Sequence, residues 1–117
     1  MREILFRGKR IDNGEWVESD GIIRVCSGTY RLDTIVGWID IDCSTIGQYT
    51  WLTDKNGVKI FEGDIVKQND EIGTVRYEEN YCTFAVLLKR NIDLFQHIEY
   101  GCEVLGNVFD NKVEFYG

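Results

Sequence analysis

Histidine, cysteine and serine are the residues of this sequence most able to supply nucleophilic or acid-base chemistry. The 117-residue chain has a single histidine, His97, so any histidine-dependent catalysis must use it. Cys82 or Ser44 would be the nucleophile of such a small hydrolase, because catalytic triads assemble in space and not in sequence order. Neither lies in a Gly-x-Ser-x-Gly turn or in a cysteine-protease signature. The sequence favours a surface or hydrogen-bonded His97, and we expect no catalytic residue and no enzymatic activity.

Metal binding is the second chemistry to consider, because four cysteines could close a tetrahedral zinc site. The cysteines are Cys26, Cys43, Cys82 and Cys102. Zinc sites usually draw their ligands from close pairs such as Cys-x2-4-Cys, and no such pair occurs here. The spacing predicts reduced structural thiols, no metal and no other cofactor.

Two carboxylate pairs, Asp40/Asp42 and Glu78/Glu79, complete the inventory of candidate chemistry. On a strand, Asp40 and Asp42 share one face, which would suit a hard cation or acid-base work. Two carboxylates without further oxygen ligands make a weak site, and aspartate is common in turns. A solvated face is therefore the favoured interpretation.

Aromatic residues supply the candidate binding surface. The chain has fifteen of them, and most must be core because each buries a large apolar area. Tyr49, Trp51 and Tyr81 fall where the pattern predicts a turn or a solvent face, and aromatics rimmed by acidic residues suit a protein-binding surface. The alternative for Trp51 is packing between two subdomains.

Charge excludes several classes of partner. The formal net charge is -7 and the pI is about 4.6, and the densest basic cluster is Arg7-Lys9-Arg10. This charge opposes nucleic-acid binding, because such binding needs several cations that neutralise phosphates. The longest apolar run, residues 84–88, is far shorter than a membrane span, and no apolar stretch of signal-peptide length occurs near the start. We expect a protein of the cytoplasm with no membrane contact.

Short apolar segments separated by glycine-containing turns predict an all-β protein with at most one or two short helices. The predicted strands are 16–19, 21–26, 30–32, 35–41, 65–66, 72–77, 83–88, 104–109 and 113–115. Residues 42–47 predict a capped single turn, because Asp42 or Ser44 can accept its first free amides and Gly47 can end it. This turn is the predicted seam between an N-terminal β subdomain, residues 1–46, and a C-terminal SH3-like β-barrel, residues 47–117.

Local signals place further elements in the second subdomain. Residues 54–57 predict a hairpin turn, because Asp54 can open a type I turn and Gly57 can take the left-handed position that closes it. Residues 63–77 resemble the first hairpin of SH3-like barrels, with Gly63 permitting the backbone entry and Asp64 bonding turn amides. Apolar residues at helical spacing in 93–100 predict one short helix.

Six short segments of the sequence together resemble the YopX family of small bacteriophage and prophage proteins. The matching segments are 2–9, 13–17, 47–50, 54–57, 60–66 and 104–109. Such proteins usually show glycine after the Gln-aromatic-Thr step, where this chain has Trp51, and this departure bears on the local backbone conformation. The resemblance brings no established activity and no catalytic residue.

Taken together, these features predict an interaction module that binds a host or phage protein in the bacterial cytoplasm, with a basic partner favoured. The alternative is a nucleic-acid-binding small β-barrel, which the aromatics could serve but the charge opposes. The sequence has no proline, so its strand edges lack their usual breakers. Pairing with another subunit would cover such edges, and we therefore expect a homo-oligomer.

Overall fold

The strands of the protein form two compact units. A computed structural model describes residues 4–24, 29–68, 70–88, 92–94 and 102–110. Unit 1 is Met1–Tyr49 and unit 2 is Thr50–Gly117. The division falls inside a strand, Gly47–Thr53, and not in the turn at residues 42–47.

All of the longer elements are strands, most of them three to five residues long. Those that begin in unit 1 are β1 (Phe6–Lys9), β2 (Trp16–Ser19), β3 (Ile22–Arg24), β4 (Tyr30–Thr34), β5 (Gly37–Ile41) and β6 (Gly47–Thr53). Those of unit 2 are β7 (Lys59–Phe61), β8 (Asp64–Gln68), β9 (Glu71–Glu78), β10 (Thr83–Leu87), β11 (Ile92–Leu94) and β12 (Glu103–Asn107). Apart from the single 3-10 turns Cys43–Thr45 and Glu79–Tyr81, the described residues contain no helix. The prediction of an all-β protein is confirmed.

The strands form three sheets, with the orders β2-β1-β6-β7, β3-β4-β5 and β11-β10-β9-β8-β12. Strands adjacent in sequence, such as β4 and β5 or β8 and β9, pair antiparallel through short connections. None of the sheets closes into a barrel over the described residues, since each has two edge strands. The SH3-like barrel predicted for residues 47–117 is therefore not confirmed.

Two predicted turns are confirmed, although the second is closed by Ile46 and not by Gly47, which begins β6. The amide of Gly57 donates to the carbonyl of Asp54 at 3.0 Å, and Gly57 has φ of 82°. Asp42 caps the first 3-10 turn, because its carboxylate accepts from the amide of Ser44 at 3.1 Å. In both turns an aspartate precedes the residues whose amides need partners.

A third turn, between β7 and β8, uses glycine and aspartate as the sequence predicted. Gly63 has φ of 92°, and the buried carboxylate of Asp64 accepts from the amide of Phe61 at 2.7 Å. The amide of Gly63 donates to Val75 at 2.8 Å, and its carbonyl accepts from Val108 at 2.9 Å. The backbone of Gly63 therefore links the turn before β8 to β9 and to the residue that follows β12.

Each unit has its own buried apolar residues. In unit 1, Leu32 and Ile41 are essentially inaccessible on neighbouring strands β4 and β5. The core cluster of unit 2 consists of Ile60, Val66, Val75, Phe84, Val86 and Cys102, with Trp51, Leu88 and Val104 packed against it. Cys43, Cys82 and Cys102 carry free thiols.

The predicted helix at 93–100 is wrong where the structure describes it, because Asp93 and Leu94 belong to strand β11. Antiparallel pairing with β10 places these residues in a strand, although their apolar spacing suggested a helix. Residues 95–101, Cys26 and the predicted strand 113–115 lie outside the described residues. Among the described residues, no helix has the length and apolar character needed to cross a membrane.

Homo-oligomerisation through an edge strand stays a prediction. Light scattering would test it by measuring the number of chains per particle.

The carboxylate of Asp54 joins the turn after β6 to strand β12. One oxygen accepts from the amides of Asn56 and Val58 at 2.8 and 2.9 Å, and the other accepts from the amide of Val104 at 2.9 Å. The side chain is buried, with 7% of its surface exposed. Burial acts to raise the pKa of Asp54, but the three amide bonds outweigh it, and the pKa lies below its ordinary value.

We predict that Asp54→Asn lowers the free energy of unfolding by about 1 to 3 kcal/mol at neutral pH, because an amide nitrogen must replace one accepting oxygen. A folded-state pKa below the unfolded value stabilises the fold above the unfolded pKa of about 3.9. That contribution is lost as the pH falls through the folded-state pKa. Urea unfolding of both proteins at pH values from 7 downwards should show the difference shrinking in acid.

Asp70→Asn is the matched control, because the Asp70 side chain is 98% exposed. It should leave the unfolding midpoint nearly unchanged at every pH. An Asp54→Asn protein as stable as the wild type at neutral pH would contradict the role assigned to this carboxylate.

Candidate interaction surface

Trp51 lies in strand β6 with its backbone in the left-handed region, at φ of 72°. An L-residue in this conformation brings its Cβ close to the following carbonyl oxygen, which costs about 1 to 2 kcal/mol. This is the position at which the resemblance noted above would place glycine. The chain therefore keeps a large aromatic side chain where glycine would be less strained.

The residues around Trp51 hold it in this conformation. The hydroxyl of the buried residue Thr50 donates to the carbonyl of Ile60 at 2.7 Å, which fixes β6 against β7. The ring of Trp51 is half-buried and stands edge-on to Phe84, with centroids 6.4 Å apart and planes at 80°. Packing against the core of unit 2 therefore offsets part of the backbone strain.

A third ring continues this arrangement. Tyr77 on β9 lies opposite Phe84 on β10 in the strand register, with ring centroids 5.4 Å apart at 77°. Tyr77 is 47% exposed, whereas Phe84 is buried. We call Trp51, Phe84 and Tyr77 the aromatic row; it runs from the core of unit 2 to its surface.

Sequence reasoning missed Tyr77 as a surface residue. The predicted strand 72–77 contained it, and strand alternation places Tyr77 on the same face as Gly73 and Val75, which are buried. Tyr77 is the last of them before the β9–β10 connection, where the core ends. Only the pairing with Phe84 shows that its ring lies half in contact with an aromatic neighbour and half in solvent.

The three predicted binding residues are not brought together. Tyr49 is only 7% exposed and belongs to unit 1, so the expectation that it lies on a turn or solvent face is wrong. It sits within β6, where alternation turns its side chain inward. Trp51 is half-buried in unit 2 as described. Tyr81 is 61% exposed in the 3-10 turn between β9 and β10.

The β9–β10 connection that carries Tyr81 is acidic. Glu78 ends β9, and Glu79 begins the 3-10 turn that ends at Tyr81. Cys82 follows in the left-handed conformation, with φ of 51°, and leads into β10. Two exposed tyrosines, Tyr77 and Tyr81, therefore flank the adjacent carboxylates of Glu78 and Glu79.

The other predicted chemical groups serve local structure where the structure describes them. Asp40 pairs with Arg31 at 2.7 Å, and Asp42 caps a turn, so the two carboxylates do not converge on a cation. Burial, with the nearby Asp54 carboxylate, raises the pKa of the Cys102 thiol, which keeps it protonated and unreactive. His97 lies outside the described residues. Over the described residues, no group of three or more histidine, cysteine or acidic side chains could hold a metal ion.

Unit 1 contains an open cleft of about 470 Å³. Its lining residues are Lys9, Arg10, Ile11, Gly14, Thr29, Ile41, Asp42 and Cys43. The guanidinium of the lining residue Arg10 is paired with Asp12, which is not a lining residue, with contacts of 2.9 and 2.6 Å. This pairing raises the pKa of Arg10 and lowers that of Asp12. The cleft therefore mixes charges and has no convergent set of polar groups of the kind that fixes a small ligand.

Comparison with known proteins identifies one family. The family model described as YopX protein matches residues 5–113, which is most of the chain. No curated protein matches the sequence.

The backbone strain at Trp51 predicts which of two substitutions leaves the protein more stable. At an ordinary strand position, glycine is less stable than alanine by about 0.5 to 1 kcal/mol. At Trp51 we expect the reverse, with Trp51→Gly more stable than Trp51→Ala by about 1 kcal/mol, because alanine keeps the left-handed strain and glycine does not. Both variants lose the same contacts with Phe84, so urea unfolding of the pair isolates the backbone term.

Thr53→Gly and Thr53→Ala are the matched control pair. Thr53 is an exposed residue of the same strand and is not among the residues with positive φ. There the alanine variant should be the more stable. If the glycine variant were the less stable at both positions, the strained conformation of Trp51 would be refuted.

Proposed function

Because the family model covers residues 5–113, the chain belongs to the YopX family, and we propose that it is a non-enzymatic protein-interaction module. In this proposal the chain is a phage or prophage protein that acts in the cytoplasm of the bacterial host. Its partner is a host or phage protein, and self-association through a strand edge is part of the same proposal.

The aromatic row is the observation that carries this function. Trp51 keeps a bulky ring at a left-handed position, and the ring contacts Phe84, which in turn contacts the half-exposed Tyr77. Strained residues that persist in a fold point to a constraint other than folding stability. Tyrosine and tryptophan contribute most to protein interfaces, since they bury a large area with few rotatable bonds.

Charge favours a basic partner for this surface. The chain has a net charge of -7, and Glu78 and Glu79 follow Tyr77 directly. Opposite charge across an interface accelerates association and suppresses wrong partners. A cationic protein surface would therefore reach the row faster than a neutral one.

Nucleic-acid binding is the second candidate, and one feature of unit 1 favours it. The guanidinium carbon of Arg7 lies 4.7 Å from the centroid of the Trp16 ring, and the ammonium of Lys9 lies 5.4 Å from it. Aromatic rings beside cations are the elements of single-strand binding sites. Here the cations lie over the ring that a base would stack on, and the summed charge repels phosphate, so we rank this function second.

We also propose that the second unit has an SH3-like fold. The antiparallel succession β8-β9-β10, with Gly63 and Asp64 at its entry, supports it. Such a fold would not by itself decide the ligand, because small β-folds host many functions.

We predict that Tyr77→Ala weakens binding to a captured partner at least tenfold, which corresponds to about 1.4 kcal/mol, because the ring is the exposed end of the row. The experiment is affinity capture from bacterial host lysate, followed by titration of the identified protein against wild type and variant. Ile72→Ala is the matched control: Ile72 is 44% exposed on the same strand, and alternation puts it on the opposite face. Equal losses in both variants would mean that the row is not the binding surface.

We predict no electrophoretic shift of single- or double-stranded DNA or RNA by micromolar protein at about 0.15 M salt, because the cations are too few and too dispersed to neutralise several phosphates. A shift at submicromolar protein would contradict the proposal and favour the second candidate. In that case Arg7→Ala and Lys9→Ala should remove the shift, whereas Tyr77→Ala should not.

A further inference from the structure

The connection between β4 and β5 in unit 1 exposes three apolar side chains. Ile35 is 102% exposed, Val36 is 82% exposed and Trp38, the second residue of β5, is 47% exposed. Hairpin turns of this length normally carry glycine, asparagine or aspartate, and β-branched residues are disfavoured in them. We call Ile35, Val36 and Trp38 the hairpin tip. Contiguous exposed apolar groups of this kind mark interaction sites.

Hydrogen bonds hold the backbone at the base of the hairpin tip. The hydroxyl of Thr34 donates to the carbonyl of Gly37 at 2.7 Å across the turn. The amide of Asp33 donates to the carbonyl of Gly21 at 3.0 Å, and its carbonyl accepts from the hydroxyl of Ser19 at 2.5 Å. The backbone that presents the tip is therefore ordered before binding, which reduces the entropy cost of ordering it in a complex.

Two carboxylates lie near the base of the tip. Asp33 lies opposite Trp38 in the β4–β5 register and is exposed. Asp20 is also exposed, next to the glycine that accepts from Asp33. Neither carboxylate forms an ion pair within the described part of the chain, whereas Asp40 is paired with Arg31 at 2.7 Å. The surface is apolar at its end and negative around its base.

This charge pattern discriminates among the possible occupants. A second copy of the chain, docked tip to tip, would bring like carboxylates together, which is unfavourable. A bilayer surface with anionic lipids would repel Asp20 and Asp33, whereas membrane-docking loops use basic residues around their apolar tips. A protein with an apolar pocket and a basic rim complements both parts of the surface.

We propose that the hairpin tip inserts into an apolar pocket of another protein, and that lysine or arginine residues on the rim of that pocket face Asp20 and Asp33. The inference rests on the proposed function only in that the bound molecule is a protein. It concerns residues of unit 1, whereas the aromatic row belongs to unit 2.

Site-specific photocrosslinking tests this inference. A benzophenone side chain replaces Val36 in the full-length chain, which is irradiated in bacterial host lysate, and the adduct is mapped by mass spectrometry. We expect the crosslinked peptide to line an apolar pocket bordered by lysine or arginine. Excess wild-type protein should compete the adduct away, and Ile35→Ser/Trp38→Ser protein should not. The same benzophenone at Asn56, an exposed turn position of unit 2, is the control and should not give this adduct.

Charge exchange supplies the decisive measurement. Asp33→Lys should reduce the adduct at least tenfold, and a lysine- or arginine-to-glutamate change on the mapped rim should restore it. Asp70→Lys, which makes the same change at a 98% exposed side chain of unit 2, should have no effect. Matching thermal unfolding curves establish that the variants are folded.

Three outcomes overturn the inference: an adduct with a second copy of the chain, binding of the wild type to phosphatidylglycerol vesicles that depends on the tip, or no adduct that wild-type protein competes away. The test also separates the two proposals. If Tyr77→Ala leaves partner binding intact while Asp33→Lys abolishes the adduct, only the role of the aromatic row fails. If Tyr77→Ala weakens partner binding while Asp33→Lys leaves the adduct intact, only the role of the tip fails.

Discussion

One buried carboxylate, that of Asp54, connects segments of unit 2 that are fifty residues apart in sequence. It accepts amides from the turn that it opens and from Val104 in β12, and the next residue in the chain, Lys55, donates its amide to the carbonyl of Cys102 at 3.0 Å. These bonds place Cys102 in the core cluster and β12 along β8. A buried charge is tolerated only when its hydrogen bonds are made, so the turn, the edge strand and the core depend on one another.

Backbone conformation imposes the second constraint on unit 2. Gly57 and Gly63 take positive φ at turns, where a side chain would be strained. Trp51 takes the same region inside a strand, and its ring packs against Phe84. At the two turns glycine meets this requirement without strain, whereas at position 51 the chain keeps a large ring at a cost in backbone energy. This contrast makes Trp51 the starting point of the proposed function.

The two units expose apolar groups in similar chemical settings. In unit 2 the aromatic row ends at Tyr77, beside Glu78 and Glu79. In unit 1 the hairpin tip rises from a base that carries Asp33. Apolar contact area rimmed by carboxylates fits proteins with basic surfaces better than nucleic acids or anionic membranes, because the same negative field attracts the first and repels the others.

The sequence by itself determined the all-β class, most strand positions and the main turns, because these follow from alternation and from aspartate and glycine at fixed offsets. Family membership likewise followed from short strings at both ends and in the middle of the chain. Only the tertiary structure decided that Tyr49 is buried, that Asp93 and Leu94 join a strand, and that Phe84 brings Trp51 and Tyr77 into one row. Those outcomes depend on which strands become neighbours, and pairing between distant segments leaves no local signal in the residues that it unites.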